Sequence, residues 1–258
     1  MKNNKLKVAV ISVYRDGTGY SKAAENMIEC LDSVGITVVP IWVTLCGNIL
    51  ETSKKINELE KNNLEDIDLI IQINLPSNFV KIKDIPCIGL FFWETSHFTS
   101  SNWQYSCDLM DEIWVPTKEQ KQSCLDSKVK TLVREIDFPQ SSEPYEKNYE
   151  DIDFKEYNNR YKFYSIREIS HRKNMGGLIN TYYSNFSIYD NVLLVIKGYV
   201  NDMVPKQSAD YFSDMVKNIK REMKLPHSPP VLLIYDMISN KNMCRIHSTC
   251  DCLVSSSR

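Results

Sequence analysis

A chain of 258 residues exceeds one typical domain and suffices for two. Its 43% hydrophobic and 25% charged residues are the balance of a folded globular protein, which excludes a disordered or fibrous chain. A net charge of −2 excludes a general electrostatic affinity for nucleic acid or acidic membranes, so the charge that holds an anionic ligand must be local. No apolar run approaches the length of a bilayer span, and MKNNKLKVAVISVY is too short and polar-flanked for a secretion signal. The expectation is a cytoplasmic chain with no transmembrane segment and no nucleic-acid partner.

In chain order, KLKVAVISVY reads as a buried strand, followed by the turn DGTGYS and a helix over KAAENMIECLDSVG. TVVPIWV is a second strand, with Pro40 suiting an edge or a bend. DLIIQINL, PCIGLFFW, EIWVPT and KVKTLV continue the strand series, and TKEQKQSCLDS carries a helix capped by Thr117. The stretch DFPQSSEPYEKNYEDIDFKEYNN has no sustained hydrophobic period and reads as a linker with about one helical turn, packed by its tyrosines. Alternation then resumes with YKFYSI, a helix over GGLINTYYSNF, VLLVIKGY, a helix over SADYFSDMVKNIKREM, PVLLIYD, a helix over SNKNMCRIHSTC, and CLVSSS. Strands alternating with helices at this spacing predict parallel sheets covered on both faces. The boundaries fall at 1–138 for a first Rossmann-like domain, 139–159 for the linker and 160–258 for a second domain. The second has only about four strands, fewer than a doubly wound domain commonly has, so it reads as incomplete.

The cysteines (Cys30, Cys46, Cys87, Cys107, Cys124, Cys244, Cys250 and Cys252) form no C-x-x-C pair and read as reduced thiols. No metal site is expected.

Two strand-to-helix loops have the composition of ligand loops. In Asp16-Gly17-Thr18-Gly19-Tyr20-Ser21 the glycines let backbone amides approach an anion, and the helix that follows adds its dipole. The same residues equally suit a tight turn with Ser21 as helix cap. The G-x-G-x-x-G fingerprint of dinucleotide enzymes is absent, and the second strand ends at Val43-Thr44 with no acid to hold a ribose, which counts against an oxidoreductase. The second loop, IREISHRKNMGG, places Arg167 just past a strand and Lys173 near the start of a helix. A guanidinium fork and an ammonium beside a helix N-terminus can clasp a diphosphate; an exposed, solvated basic turn is the plain alternative.

IGLFFWET, WQYSCDLMDEIWVPTKEQKQSCL, RKNMGGLINTYY and CDCLVSSS together resemble the retaining glycosyltransferases of GT-B fold, the glycosyl transferases group 1 family. The resemblance implies an α/β chain of two Rossmann-like domains facing across a cleft, with the donor mainly on the second and the acceptor on the first. It implies transfer of a sugar from a nucleotide diphosphate sugar to a glycan, lipid or protein hydroxyl, with retention at the anomeric carbon. No cofactor or metal is implied, since the nucleotide sugar is itself the donor substrate. By residue, Arg167 and Lys173 resemble the pair that neutralises the donor diphosphate, and Gly17 and Gly19 the loop that approaches the phosphate. Glu94 and His97 lie where members place residues that contact acceptor or sugar. Trp93 and Trp114 read as core, and Trp103, placed in a loop, as structural or as a stacking platform. Ile166 and Asn174 replace the family's usual glycines. Members continue past the final strand into a Glu-containing loop that holds the donor sugar, so truncation at Arg258 is the expectation. A non-catalytic nucleotide or nucleotide-sugar binding module is the alternative.

Overall fold

Two wholly parallel sheets form the chain, one in each of two units, Met1–Ser141 and Ser142–Arg258. The computed structural model describes residues 5–45, 49–98, 101–142, 146–200, 203–236 and 238–257; Cys46, Pro144, Tyr145 and Arg258 lie outside these ranges.

The first sheet has the order β2-β1-β3-β4-β5-β6. Its strands are β1 (Lys7–Ser12), β2 (Thr37–Trp42), β3 (Leu69–Ile73), β4 (Cys87–Leu90), β5 (Glu112–Val115) and β6 (Val133–Glu135). Helices α1 (Gly19–Ser33), α2 (Lys54–Leu59), α3 (Ser101–Asp108) and α4 (Lys118–Asp126) make the crossovers. Apolar residues cover both faces, as parallel strands require. Val8, Val10, Ile71 and Ile73 pack with Ala24, Met27 and Ile28 of α1 on one side. Ala9, Ile70, Phe91 and Ile113 pack with Cys107 and Cys124 on the other. Pro40 sits in β2 opposite Val10, and β2 is an edge strand whose second side needs no amide donor.

The second sheet has the order β10-β7-β8-β9. Strands β7 (Tyr161–Glu168), β8 (Val192–Tyr199), β9 (Val231–Ile234) and β10 (Cys252–Leu253) alternate with α5 (Met175–Asn185), α6 (Pro205–Glu222) and α7 (Asn240–Thr249). Leu194 and Ile196 face α5 and α6, where Met175, Ile179 and Phe212 are buried. Leu193 and Val195 face α7, whose Ile246 is buried beside Tyr164. Ile152, Phe154 and Tyr157 of the linker reading pack into that same cluster, and Lys155–Tyr157 is its helical turn.

Several boundaries differ from the sequence reading for local reasons. KVK is no strand: Lys128 takes φ +64°, and the Lys128 and Val129 amides return to Leu125 and Cys124 carbonyls, closing α4 in a Schellman motif. Strand β6 therefore starts only at Val133. Gly35 at φ +89° closes α1 in the same way, through Gly35 N–H to Asp32 O and Ile36 N–H to Leu31 O. Helices α2 and α3 are short, and α3 occupies the stretch in which Trp103 was expected to lie in a loop. Strand β7 runs to Glu168, so Arg167 belongs to the strand and not to the turn beyond it.

Two predictions follow from this packing. A methyl group on Gly89, in central strand β4, would lie 2.5 Å from Phe79 Cε2 and 3.0 Å from Ile113 Cδ1. Phe79 is itself buried edge-on against Phe91, so Gly89→Ala is expected to destabilise the first unit by about 1–3 kcal/mol, read by urea unfolding. Burial works to raise the Glu60 carboxyl, but hydrogen bonds from Tyr14 and Arg15 outweigh it and hold Glu60 below its ordinary 4.5. That contribution is present above the unfolded value and is lost as pH falls through the lower folded one. Unfolding followed from pH 6 to 3 should show a loss of stability that Glu60→Gln flattens.

Candidate functional site

In an open parallel sheet, ligands sit beyond the carboxyl ends of the strands where neighbouring crossovers diverge. In the second unit that point lies between β7 and β10. The chain leaves β7 through α5 toward β8, and reaches β10 from the far side of the sheet through α7. Arg167 bridges this divide. Its Nη2 donates to Val254 O at 2.9 Å, and its Nη1 donates to Lys173 O at 3.1 Å and Ser256 Oγ at 3.3 Å. Ser256 Oγ in turn donates to the carbonyl oxygens of Lys173 and Asn174. The structure therefore brings Arg167 and Lys173 together, and Ser256 joins them from the segment just past β10.

The electrostatics of this corner are unbalanced. Each of these Arg167 acceptors is neutral, Arg167 Nε is buried without a partner, and burial pushes the guanidinium below its ordinary value. The Lys173 side chain makes no hydrogen bond or ion pair among the described residues. Helix α5 opens directly behind, with no acidic residue in its first turn and no side-chain cap from Asn174, which sits at φ +49°. A Cβ on Gly176 would meet nothing within 4 Å, whereas one on Gly177 would strike the Asn174 side chain at 2.6 Å. A half-buried guanidinium with a partnerless Nε, a lysine side chain with no partner among the described residues and an open helix N-terminus at one rim make an anion site by charge and by geometry.

The equivalent rim of the first unit carries the other sequence-predicted residues. Gly17 takes φ +70° in the turn after β1, a conformation that favours glycine. Gly19 opens α1, and a Cβ there would meet nothing within 4 Å. The cap is Thr18 and not Ser21. Thr18 Oγ1 accepts from Ser21 N–H, Ser21 Oγ accepts from Thr18 N–H, and the Ser21 hydroxyl donates to Val13 O at 2.6 Å. Asp16 Oδ2 accepts from Leu45 N–H, which pins the turn to the chain beyond β2. The neighbouring Arg15 is neutralised by both Glu60 oxygens and by Asn57.

Glu94 and His97 lie in the exposed loop after β4. The loop is tied to α1 through Tyr20, whose hydroxyl donates to Phe92 O at 3.1 Å and accepts from Phe92 N–H at 2.9 Å. Burial, opposed by the Phe92 backbone hydrogen bond and helped by the Glu94 charge, pushes the Tyr20 hydroxyl up to about 12. Glu94 thus acts on the Tyr20 hydroxyl that ties this loop to α1. The His97 ring meets Ser96 Oγ at 3.0 Å, while its carbonyl accepts from Trp93 Nε1 and Thr95 Oγ1. Trp103 stacks into a box with Trp93 at 4.6 Å, Phe98 at 5.8 Å and Phe91 at 6.1 Å, and Trp114 Nε1 donates to Glu112, so these indoles build the scaffold. A cavity of about 250 Å³ opens at the carboxyl ends of β1 and β3, lined by Ile11, Thr44, Gln72, Asn74 and Asn78 among others.

A residue that sequence reasoning passed over also lies toward the carboxyl end of a strand. Lys197 of β8 is 5% exposed on the α7 face, opposite Ile166 of β7 and Ile234 of β9. Burial pushes its ammonium below the ordinary range, partly offset by the Asp236 charge just past β9. The only signal in the sequence was a lysine closing the apolar run VLLVI. Among the described residues no three His, Cys, Asp or Glu side chains gather to hold a metal ion. No helix among them is long and apolar enough to cross a membrane.

Comparison with solved structures places this architecture. HepE from Anabaena, in complex with UDP and glucose, superposes with a TM-score of 0.61 at 11% identity over 98% of this chain and 74% of its own. An E. coli trehalose-6-phosphate structure bound with UDP-2-fluoro glucose gives 0.67 at 10% identity over 97% and 78%. An alpha-glucosyltransferase in complex with UDP-glucose and DNA containing an abasic site gives 0.59 at 14% identity over 99% and 73%. No family model and no curated protein sequence matches the chain. The chain has the GT-B fold of two Rossmann-like α/β units, as the resemblance implied.

The bracing role of Arg167 changes what its removal should do. An exposed turn residue would leave stability untouched, but Arg167→Ala strips charge-assisted hydrogen bonds from two carbonyls and a hydroxyl. A loss of about 1.5–3 kcal/mol is expected in thermal unfolding. Lys173→Ala, which removes no described side-chain contact, should melt like the parent.

Proposed function

We propose that this chain is a glycosyltransferase that moves a sugar from a nucleoside diphosphate sugar to a hydroxyl acceptor with retention at the anomeric carbon. The observation that carries the reading is the unbalanced cationic corner of Arg167 and Lys173 at the mouth of α5, on the carboxyl rim of a GT-B second unit. A departing nucleoside diphosphate gains negative charge as the glycosidic bond breaks, and fixed cations stabilise that charge most in the transition state. Arg167 is held rigidly by its three bonds, so little reorganisation is needed when the charge develops. Lys173 supplies a mobile point charge, and the amides of the Gly176-Gly177 turn supply neutral donors.

In the first unit, Gly17 and Gly19 open the N-terminus of α1 to a phosphate or an acceptor. Glu94 accepts a hydrogen bond from a substrate hydroxyl, and a neutral His97 ring can do the same. Retention needs no separate base among these residues when the leaving phosphate takes the acceptor proton on the same face. The chemistry proposed needs no divalent metal, because the two cations take that role. The acceptor is a glycan, lipid or protein hydroxyl, and the setting is cytoplasmic.

The test is direct. The protein is incubated with UDP- and GDP-sugars and hydroxyl acceptors, nucleotide release is followed, and the product anomer is read by proton NMR. Acceptor-dependent release with the donor's anomeric configuration is the expected outcome; binding without release would make the chain a nucleotide-sugar binding module instead. Lys173→Ala should weaken nucleoside diphosphate binding by about 1.5–3 kcal/mol in titration calorimetry while Arg172→Ala binds like the parent. Parent-like binding by Lys173→Ala would remove the diphosphate role.

A further inference from the structure

Lys197 has no hydrogen-bond or ion-pair partner among the described residues, although only 5% of it is exposed. Its stem is buried, but its ammonium is not among the fully buried atoms that lack a partner, so the charge stays open at the rim; a leucine or methionine would complete the run VLLVI without that desolvation cost. The flanking strands place apolar Ile166 and Ile234 beside it in register. Among the described residues the charge that acts on it is Asp236, close enough to influence the amine through space yet forming no ion pair with it. An amine and a carboxylate that act on each other without an ion pair present a donor and an acceptor side by side, Asp236 lying two residues past Ile234, the register partner of Lys197.

That pair lies toward the same carboxyl rim as the cationic corner. Lys197 pairs in register with Ile166, the residue before Arg167, and adjacent strands are about 4.8 Å apart. Because 166 and 167 point to opposite faces, the lysine stands on the α7 side of the sheet and Arg167, in register with Gly198, on the α5 side. A ligand whose phosphates sit at the mouth of α5 and whose other end crosses the rim toward β9 would reach both. A nucleoside diphosphate has that shape. Its heterocycle presents a ring acceptor beside an N–H along one edge, the complement of an ammonium beside a carboxylate.

We propose that Lys197 and Asp236 form the base-reading end of the donor site, with Lys197 donating to a ring acceptor of the nucleobase and Asp236 accepting the adjacent N–H. This rests on the donor reading above, and the experiment separates the two. Titration calorimetry is run on the parent, Lys197→Met, Asp236→Ala and Lys173→Ala with a nucleoside diphosphate, ribose 5-phosphate and inorganic pyrophosphate. Lys197→Met and Asp236→Ala are expected to lose at least about tenfold in affinity for the nucleoside diphosphate and nothing for the other two ligands. Lys173→Ala is expected to lose affinity for all three. Thermal unfolding of Lys197→Met should match or exceed the parent, since the variant removes a partly desolvated amine that no protein acceptor compensates; a structural lysine would give the opposite. Parent-like nucleoside diphosphate binding by Lys197→Met, or an equal loss toward ribose 5-phosphate, overturns the base assignment and leaves the diphosphate corner standing. A parent that binds none of the three ligands overturns both.

Discussion

Parallel pairing throughout both sheets is the constraint from which the rest of this structure follows. A parallel neighbour cannot be reached by a tight hairpin, so strand after strand must be followed by a crossover, and the crossovers bury both faces of the sheet. The same geometry places the carboxyl ends of all strands in a unit on one rim, beside the N-termini of the helices that follow them. Backbone amides and helix dipoles therefore converge there before any side chain is chosen. Gly17-Thr18-Gly19 at the head of α1 and Asn174-Met175-Gly176 at the head of α5 are two outcomes of that single rule.

Against this background the informative side chains are the cations, and how each is balanced. Arg15 is held by both oxygens of Glu60, with Tyr14 donating to the same carboxylate at 2.6 Å, and it acts as a clamp between the first turn and α2. Lys162 is buried but gives its protons to the carbonyls of Asn158 and Arg160 at the opposite end of its strand, where it anchors the linker. Arg167 also reaches carbonyls, yet it does so at the carboxyl rim, with a buried Nε left over. Lys197 reaches none. A charge whose protein partners are incomplete stabilises an incoming opposite charge more than one already neutralised, and Arg167 and Lys197 both lie toward the carboxyl ends of the adjacent strands β7 and β8.

Bracing and binding are combined in Arg167. Its hydrogen bonds to Val254, Lys173 and Ser256 fasten the end of β7 to the segment past β10 and to the turn before α5. Those bonds also fix where its charge points. A rigid guanidinium carries a smaller reorganisation penalty on meeting an anion than a solvated one, so the stability of this corner and its capacity to hold a diphosphate have one physical origin.

By itself the sequence determined the alternation of strand and helix, the parallel sheets that alternation demands, the edge position of the Pro40 strand and the Thr117 cap. These depend on local periodicity and on a missing amide, which a short window contains. The pairing of Arg167 with Lys173 was legible because six residues separate them across one turn. Only the tertiary structure decided that Arg167 lies within β7 and reaches Ser256, 89 positions further on. It also decided that Trp103 belongs to a helix packed on Trp93 and Phe98, and that KVK closes α4 instead of opening β6. Lys197 remained unnoticed for the same reason: whether a lysine at the end of an apolar run meets water, a carbonyl or nothing depends on strands and helices remote in sequence. A window on the sequence records the charge, and only the fold determines whether that charge is balanced.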